Sequence, residues 1–380
     1  MLEKPYQICT RCVMDTSDPN IRFDVDGVCS HCHGYDAKVR QYILSGEAGR
    51  HHLDVLVEKI RKDGKDKDYD CIIGISGGVD SSYVACKVKE LGLRPLAVHL
   101  DNGWDSELAV KNIENLLRQL NIDLYTHVID WEEFKDLQIA FLKASTPDSE
   151  IPSDHAIFAI MFQMADKMGV KYVISGCNIR TETHLPMAWS QGHSDWRYIK
   201  AVHDRFGRLK LKTYPHTDII ARHRYILTKY WIDLLDFLDY NKEQAKQYLK
   251  DQFCWKDYGG KHYESIYTRF YQGYILPNKF GYDKRKTHFS SLICSGEMTR
   301  PEALEELKKD TYPTDLQNAD MDYLLKKFQL SEEEFENIMN LPRKSYWDYP
   351  SYGRFYNSRS YQTIIGFGKP MYKLYKYLIK

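Results

Sequence analysis

Between residues 69 and 175, short apolar runs alternate with amphipathic helical patterns, and this alternation restricts the fold more than any other feature. Helical periodicity covers 108–120, 131–144 and 154–168, and the apolar runs predict strands at 69–75, 94–101, 123–130 and 171–175. Strands separated by helices form a mainly parallel sheet with right-handed crossovers. We therefore predict an α/β fold that binds its ligands at the carboxyl ends of the strands.

Three of the predicted strands end in polar residues, which are Ser76-Gly77-Gly78, His99-Leu100-Asp101-Asn102 and Ser175-Gly176-Cys177-Asn178. The carboxyl ends of parallel strands meet at one edge of a sheet, so these residues are expected to share one site.

The first of these segments belongs to the stretch GISGGVDSS, residues 74–82, which lies between a strand and a helix. A glycine-rich loop at that position presents backbone N–H groups to an anion, helped by the helix N-terminus. Gly77 and Gly78 allow close approach of the main chain, and Ser76, Ser81 and Ser82 add hydroxyl donors. The stretch therefore predicts a phosphate-binding loop.

This loop differs from a Walker A loop, which places Lys-Ser or Lys-Thr after its last glycine. Val79-Asp80 occupies that position here. The loop is therefore not built for γ-phosphoryl transfer of the usual kind. Asp80 is expected either to lie near a magnesium ion that bridges phosphates or to cap the following helix.

Two C-x-x-C pairs near the N-terminus supply four cysteines, Cys9, Cys12, Cys29 and Cys32. Alternating apolar residues at 21–25 followed by Asp26-Gly27 predict a strand and a tight turn between the pairs. Two cysteine pairs joined by a hairpin are typical of a zinc ribbon with a closed, structural ion. An iron–sulfur cluster also takes four cysteines and remains the alternative.

Composition excludes some classes of function. Lysine plus arginine and aspartate plus glutamate both number 53, so the formal net charge is zero, which argues against a broad electrostatic grip on nucleic acid. The most apolar stretch, 230–238, carries two aspartates and predicts an amphipathic or buried helix, not a membrane span. Without an export signal, the nine cysteines indicate a cytoplasmic protein with reduced thiols and one metal site.

The strand pattern stops near residue 225, and helices are predicted at 225–249, 301–309 and 321–339. Ser331 with Glu334 forms a capping box that restarts a helix. No structure is predicted for the last forty residues.

The segment Ser76–Ser82 resembles the S-G-G-x-D-S signature of the PP-loop ATP pyrophosphatases, which include asparagine, GMP and NAD synthetases and tRNA thiolation enzymes. The resemblance implies a doubly wound, HUP-like sheet and cleavage of ATP between its α and β phosphates, with Mg²⁺ on the phosphates. It also implies polar or acidic groups near the phosphates from Asp154-His155 and 178–182, and nucleotide contacts from Ser76, Gly77, Gly78, Asp80, Ser81, Ser82, His99, Asp101 and Gly176.

Segments 8–16, 257–265 and 280–286 resemble the N-acetyl sugar amidotransferases of surface-polysaccharide pathways such as O-antigen synthesis. The resemblance implies that a sugar or nucleotide-sugar acetamido group becomes acetamidino. ATP activates the amide oxygen and ammonia displaces AMP. It further implies a glutaminase subunit and a barrel subunit, like those of imidazole glycerol phosphate synthase, that supply the ammonia. This agrees with the sequence, since residue 2 is leucine and no G-x-C-x-G elbow surrounds Cys177, Cys254 or Cys294.

On this interpretation the catalytic residues are expected to be Asp80, Asp154, Glu182, Lys284 and Lys286. The two lysines are expected to neutralise the leaving pyrophosphate in place of the lysine that the loop lacks. His262 and Glu264 are expected to position the sugar or the ammonia.

The predicted domains are a zinc ribbon at 1–45, a PP-loop domain at 55–225 and a mostly helical region at 226–380 that completes the sugar site and the partner surface. Two other functions stay open. A tRNA thiolation enzyme is disfavoured by the zero net charge and by isolated cysteines, and a non-catalytic nucleotide-binding scaffold is disfavoured by the intact loop.

Overall fold

The computed structural model describes residues 5–43, 46–260 and 263–358. Its centre is a five-stranded, wholly parallel sheet in the order β3-β2-β1-β4-β5. The strands are β1 (Cys71–Gly74), β2 (Pro95–Asp101), β3 (Asp123–Val128), β4 (Tyr172–Ser175) and β5 (Tyr230–Asp233). The four strands predicted from the sequence are confirmed.

Sixteen α-helices are assigned in the described residues. They are α1 (Ser30–Tyr42), α2 (Gly46–Gly64), α3 (Val79–Glu90), α4 (Glu107–Leu120), α5 (Trp131–Ala144), α6 (Ile151–Lys167), α7 (Ile179–Glu182), α8 (Trp196–Phe206), α9 (Ile219–Thr228), α10 (Lys242–Phe253), α11 (Ile266–Phe270), α12 (Lys284–Ser295), α13 (Arg300–Leu307), α14 (Thr314–Phe328), α15 (Glu332–Met339) and α16 (Gly353–Tyr356). A π-helix (Tyr271–Phe280) continues α11, and short 3₁₀ turns cover Leu234–Phe237 and Tyr346–Asp348. None of the helices described is long and apolar enough to cross a bilayer.

The sheet is covered on both faces, because successive side chains of a strand point in opposite directions. Ile73 packs in one core with residues of α2, α3, α4 and α10. Ile72 packs in a second core with residues of α5, α6, α8 and the helices beyond residue 265. The predicted doubly wound arrangement is therefore confirmed.

The segment 225–249, predicted to be one helix, is instead the end of α9, the strand β5, a 3₁₀ turn and the start of α10. The prediction was wrong because Tyr230-Trp231-Ile232 suits a strand as well as a buried helix, and pairing with β4 decides between them. The sheet thus continues past residue 225, where the predicted second domain ended. The domain limits themselves stay a prediction.

The N-terminal unit forms the turn that the sequence predicted. Phe23 and Cys29 form an antiparallel bridge, and Gly27 has φ +78° in the turn before it. Arg300 fastens the unit to α13 by donating from Nε and Nη2 to the carbonyl oxygens of Cys12 and Cys9, at 3.0 and 2.9 Å. The N-terminal unit therefore contacts the C-terminal helices through Arg300.

Candidate active site

The predicted phosphate loop connects β1 to α3 and lies close to α4. Gly77 has φ +79°, and an added Cβ would lie 2.7 Å from the carbonyl oxygen of Ala109. Gly176 at the end of β4 is equally tight, since its Cβ would lie 2.9 Å from the backbone nitrogen of Ser81. Glycine is therefore required at both positions, and the loop is held between α4 and β4.

The N-terminus of α3 fits an anion. Its N-cap, Gly78, has no side chain to cap the helix. The N–H of Val79 donates to the hydroxyl of Tyr258 at 3.2 Å, an oxygen that a phosphate oxygen can replace. Ser82 is fully buried, and its Oγ has no hydrogen-bond partner among the described residues. An N–H bonded to a tyrosine hydroxyl and a buried serine hydroxyl without such a partner, both in the first turn of a helix, suit a phosphate.

The side chain of Asp80 is engaged by two residues from the region after β5. Tyr240 donates its hydroxyl to Oδ1, and Lys242 places Nζ 3.3 Å from Oδ2. The side chains of Lys242 and Asp80 are only 16% and 20% exposed. The glycine loop contains no lysine, and Lys242 places a positive charge beside its Asp80.

Two further carboxylates act on this lysine. Burial opposes the charge of Lys242, but Asp80, Glu182 and Glu264 together raise its pKa. Glu264 lies over the loop, since its Oε1 is 3.5 Å from the position of a Cβ on Gly78. Carboxylate oxygens suit Mg²⁺, so Asp80 and Glu182 have the right chemistry to hold a magnesium–phosphate complex. Asp80 and Glu182 thus both act on the charge of Lys242, and their roles in catalysis stay a prediction.

His99 and Asp101 lie at the end of β2 and have different surroundings. His99 is buried between the carbonyl of Ile75, 2.9 Å from Nδ1, and Asp105, 3.1 Å from Nε2. Burial opposes protonation of this histidine, but Asp105 and the carbonyl raise its pKa. Asp101 lines a cavity of about 410 Å³ together with Asn102, Gly103, Val128, Ile129, Trp131 and Lys327. His99 therefore supports the loop, whereas Asp101 faces open space.

A second polar cluster contains the predicted residue Asp154. His193 places Nε2 3.3 Å from carboxylate oxygens of both Asp148 and Asp154. Despite burial, these carboxylates raise the pKa of His193 to about 9. The neighbouring His155 has a pKa lowered to about 4 by burial, and its Nε2 accepts from the N–H of Thr217 at 3.1 Å. His193 is thus a cation, and His155 is neutral.

The same cluster includes Glu150, which the sequence analysis did not single out. Burial raises its pKa to about 7, and Asp154 and Asp148 add to the effect while Lys284 opposes it. Thr268 donates to its Oε1, and the Nε2 of Gln272 lies 3.3 Å from its Oε2. A carboxyl group with this pKa can accept or release a proton near neutral pH.

The two clusters are joined by short connections. Thr268, which binds Glu150, lies on α11, four residues after Glu264 in the chain. On the other side, Asn102 donates to the hydroxyl of Ser153 at 3.3 Å. The carboxyl end of β2 is therefore in contact with the first turn of α6, which carries Asp154.

The two predicted lysines of α12 have separate environments. Lys284 acts on Glu150, Asp148 and His193, and its Nζ lies 5.7 Å from the ring centre of Tyr271. Lys286 instead forms an ion pair with Asp15, which is completely buried beside the cysteine pairs. Lys284 therefore belongs to the Glu150 cluster, and Lys286 fastens the N-terminal unit.

The four cysteine sulfur atoms are spaced for one tetrahedral ion. The Sγ–Sγ distances are 3.9 Å for Cys9–Cys32, 3.6 Å for Cys12–Cys29 and 3.7 Å for Cys29–Cys32. A zinc ion with Zn–S bonds of about 2.3 Å gives tetrahedral edges of about 3.8 Å. The predicted residues are thus brought together, and their geometry fits a single zinc ion better than a larger iron–sulfur cluster.

Residues 264–362 match the family model of the C-terminal domain of WbpG-like lipopolysaccharide biosynthesis proteins. The match shows similarity to the WbpG-like family over that part of the chain. The matched region begins at Glu264, which lies over the phosphate loop, and includes α11, the π-helix and α12. The family domain thus contributes side chains to both polar clusters.

Curated relatives match less than half of this chain. The tRNA-specific 2-thiouridylase MnmA 2 of Fusobacterium nucleatum is 24% identical over 188 residues, which cover 46% of this chain and 48% of that protein. MnmA of Staphylococcus epidermidis is 27% identical over 131 residues, 31% of this chain and 35% of that protein. The chain therefore spans about half or less of the length of these relatives.

Two solved structures resemble this chain weakly. NMN synthetase from Francisella tularensis aligns with 75% of this chain and 98% of its own, with TM-score 0.36 and 15% identity. The NH₃-dependent NAD synthetase from Campylobacter jejuni aligns with 78% of this chain and 98% of its own, with TM-score 0.32 and 13% identity. Similarity at this level carries no argument about function.

Lys242, Tyr240 and Tyr258 were not found from the sequence. A usable signal was present for the first two, because a strand at 230–233 brings the residues that follow it to the carboxyl edge of the sheet. Tyr258 lies in the segment 257–265 that resembles the family, but its position beside Val79 depends on tertiary packing. His262, which was expected to position the sugar or ammonia, lies outside the described residues.

Proposed function

We propose that the chain is an ATP-dependent amidotransferase of lipopolysaccharide O-antigen synthesis that converts a sugar acetamido group to an acetamidino group. The observation that carries the proposal is a phosphate loop without its own lysine, whose Asp80 instead pairs with Lys242 at 3.3 Å. The match of residues 264–362 to a lipopolysaccharide biosynthesis domain supports the pathway. AMP and pyrophosphate are the proposed products of ATP.

In the first proposed step, the acetamido oxygen attacks the α-phosphorus of ATP and the bond to the β-phosphate oxygen breaks. The N-terminus of α3 and the ammonium of Lys242 stabilise the charge on the departing pyrophosphate. Magnesium, held by Asp80 and Glu182, would neutralise further phosphate charge. The ammonium of Lys242 lies beside the carboxylate of Asp80. The carboxylate would attract the magnesium ion, and the ammonium would attract the phosphate oxygens.

In the second proposed step, ammonia attacks the carbon of the adenylated amide. An amide is a poor electrophile because its nitrogen donates into the carbonyl, and adenylation gives the oxygen a good leaving group. The new C–N bond forms, the attacking nitrogen loses one proton, and AMP leaves with the C–O bonding pair. Glu150, with a pKa near 7, is suited to take that proton. His193 and Lys284 add positive charge beside it.

We further propose that ammonia comes from a glutaminase subunit through a barrel subunit, as the family resemblance implies. A closed route matters because water that reached the adenylated amide would return it to the amide and waste ATP. The helices after residue 226 are the proposed surface for these subunits.

The test uses the purified chain with ATP, Mg²⁺, ammonium chloride and a panel of N-acetylated nucleotide-sugars. The expected result is AMP and pyrophosphate release that requires both sugar and ammonium, with a product in which mass spectrometry finds NH in place of O. ADP and orthophosphate release under the same conditions would contradict the proposal. Dependence on one sugar of the panel would name the substrate.

The partial matches to 2-thiouridylases favour one other candidate, a tRNA-modifying enzyme with the same ATP chemistry. The same assay with bulk tRNA and a sulfur donor separates the two. AMP release that requires tRNA, with no response to sugars, would replace the amidotransferase by the tRNA enzyme. Binding of ATP without any release would point to a nucleotide-binding scaffold.

A further inference from the structure

Two residues outside the four-cysteine set face its cysteine Cys32. Cys294 on α12 has its Sγ 3.8 Å from the Sγ of Cys32, and 3.6 Å from the Nε2 of His184. All three ligand atoms lie within 4.8 Å of one another. His184 is completely buried, and Cys294 is half-buried. These atoms are arranged as a second group that shares one cysteine with the first.

These interatomic distances match the edges of a metal tetrahedron. Zn–S bonds of about 2.3 Å give an S–S edge of about 3.8 Å, and a Zn–N bond of about 2.0 Å gives an N–S edge of about 3.6 Å. The Cys294–Cys32 and Cys294–His184 distances therefore agree with two ligand edges around one zinc ion. Three protein ligands leave one position open for water or another donor.

The hydrogen bonds of His184 leave the correct nitrogen available for a metal. Ser291 donates its hydroxyl hydrogen to the carbonyl of Thr287 at 3.1 Å. Its oxygen therefore accepts from the Nδ1–H of His184, at 2.9 Å. The lone pair of Nε2 then points at the side of Cys294, which is the arrangement that fixes a metal-ligating histidine.

Charge also favours a second cation. Four thiolates around one Zn²⁺ carry a net charge of about −2, and a second metal that binds Cys294 would take it as a fifth thiolate. The nearby guanidinium of Arg11 is already bound by Asp36, at 2.6 Å. Its pKa is raised mainly by Asp36, and Cys294 and Cys32 add to this effect. A second Zn²⁺ would reduce the net charge of the cluster to about −1.

We propose that the chain holds a second Zn²⁺ ion, bound by Cys294 Sγ, His184 Nε2 and a bridging thiolate of Cys32, with one coordination position open. The first ion is the one enclosed by the two C-x-x-C pairs. The second ion would join α12 and the segment after α7 to the N-terminal unit, so the metal cluster would include the family domain.

Metal content of the full chain, purified with zinc and desalted, tests this directly. Two zinc ions per chain are expected for the wild type and for the control Cys254→Ser, which changes an exposed cysteine. Cys294→Ser and His184→Gln are each expected to retain one. A chelator should remove zinc from the wild type in a fast and a slow phase, because an open position admits the chelator, and the fast phase should be missing in both variants.

One zinc ion per wild-type chain, or iron with sulfide instead of zinc, would overturn the proposal. So would two ions that both variants keep, or complete zinc loss from both variants. The wild-type measurement decides even where a variant fails to fold. Cobalt provides a second readout, since chains produced with Co²⁺ should show thiolate charge-transfer absorbance that falls in Cys294→Ser while the tetrahedral bands of the first site remain.

Discussion

The strongest test of the site is the replacement of Lys242 by methionine, which removes the charge and keeps most of the stem. At an effective dielectric constant of about 20, two charges 3.3 Å apart attract by about 5 kcal/mol, and desolvation of the two groups offsets part of this. Removal of the lysine takes the cation away from the mostly buried carboxylate of Asp80, to which Tyr240 still donates. The free energy of unfolding should fall by about 3 kcal/mol.

The effect on activity should be separate from the effect on stability. If Lys242 stabilises the departing pyrophosphate, sugar-dependent pyrophosphate release should fall by about 100- to 1,000-fold, the usual cost of losing one such group. The control is Lys246→Met, one turn further along α10, where Nζ also lies 3.3 Å from a carboxylate, that of Asp257. Asp257 keeps Lys250 at 3.3 Å, so the control should change little.

The double variant Asp80→Asn/Lys242→Met distinguishes the two roles. Asparagine removes the buried charge that the lysine compensated, so most of the stability lost in Lys242→Met should return in urea denaturation. Pyrophosphate release should stay low. If Lys242→Met releases pyrophosphate as fast as the Lys246→Met control, the assignment of Lys242 to the phosphate site is refuted.

Three further predictions concern the loop, the acid cluster and the N-terminal unit. Gly77→Ala should lower the free energy of unfolding, measured in urea, by about 2 kcal/mol more than Gly169→Ala. Both glycines have positive φ, +79° and +66°, but of the two only Gly77 has backbone atoms within 4 Å of an added Cβ. Equal losses of stability would contradict this. The pKa of Glu150 is raised to about 7, so the contribution of its protonated form to the free energy of unfolding is full below pH 4.5 and is lost as the pH rises through 7. The free energy of unfolding of the wild type, relative to that of Glu150→Gln, should therefore fall by about 3 kcal/mol across that window. A difference that does not change with pH would refute the raised pKa. Lys286→Met should lower stability by about 3 kcal/mol because Asp15 stays buried, with the KM for ATP unchanged; a raised KM would return Lys286 to the phosphate site.

Local pattern was enough for the centre of the fold. The strands of the first half are apolar runs with clear ends, and the loop Ser76–Ser82 is a contiguous motif, so neither depends on distant contacts. The cysteine pairs are also local, and their sulfur atoms meet as the spacing indicated. Asp80 and Glu182 could be placed near each other because both follow strands of one sheet.

The cation of the site could not be predicted in the same way. The basic cluster of 284–286 was the obvious source of positive charge, but charge alone does not indicate which neighbour a side chain has. Lys286 is separated from Asp15 by 271 residues and Lys242 from Asp80 by 162, so both pairs result from packing and not from spacing. The strand β5, mistaken for a helix, is what brings α10 to the loop.

The arrangement explains why one chain carries both halves of the proposed chemistry. The sheet supplies the anion site and Asp80, whereas the region after β5 supplies Lys242, Tyr258 and Glu264. Four residues beyond Glu264, Thr268 holds Glu150, the group suited to accept a proton from ammonia. A displacement of α11 would therefore move the base relative to the phosphate loop. The region that matches the WbpG-like family model thus contacts both the phosphate loop and the Glu150 cluster.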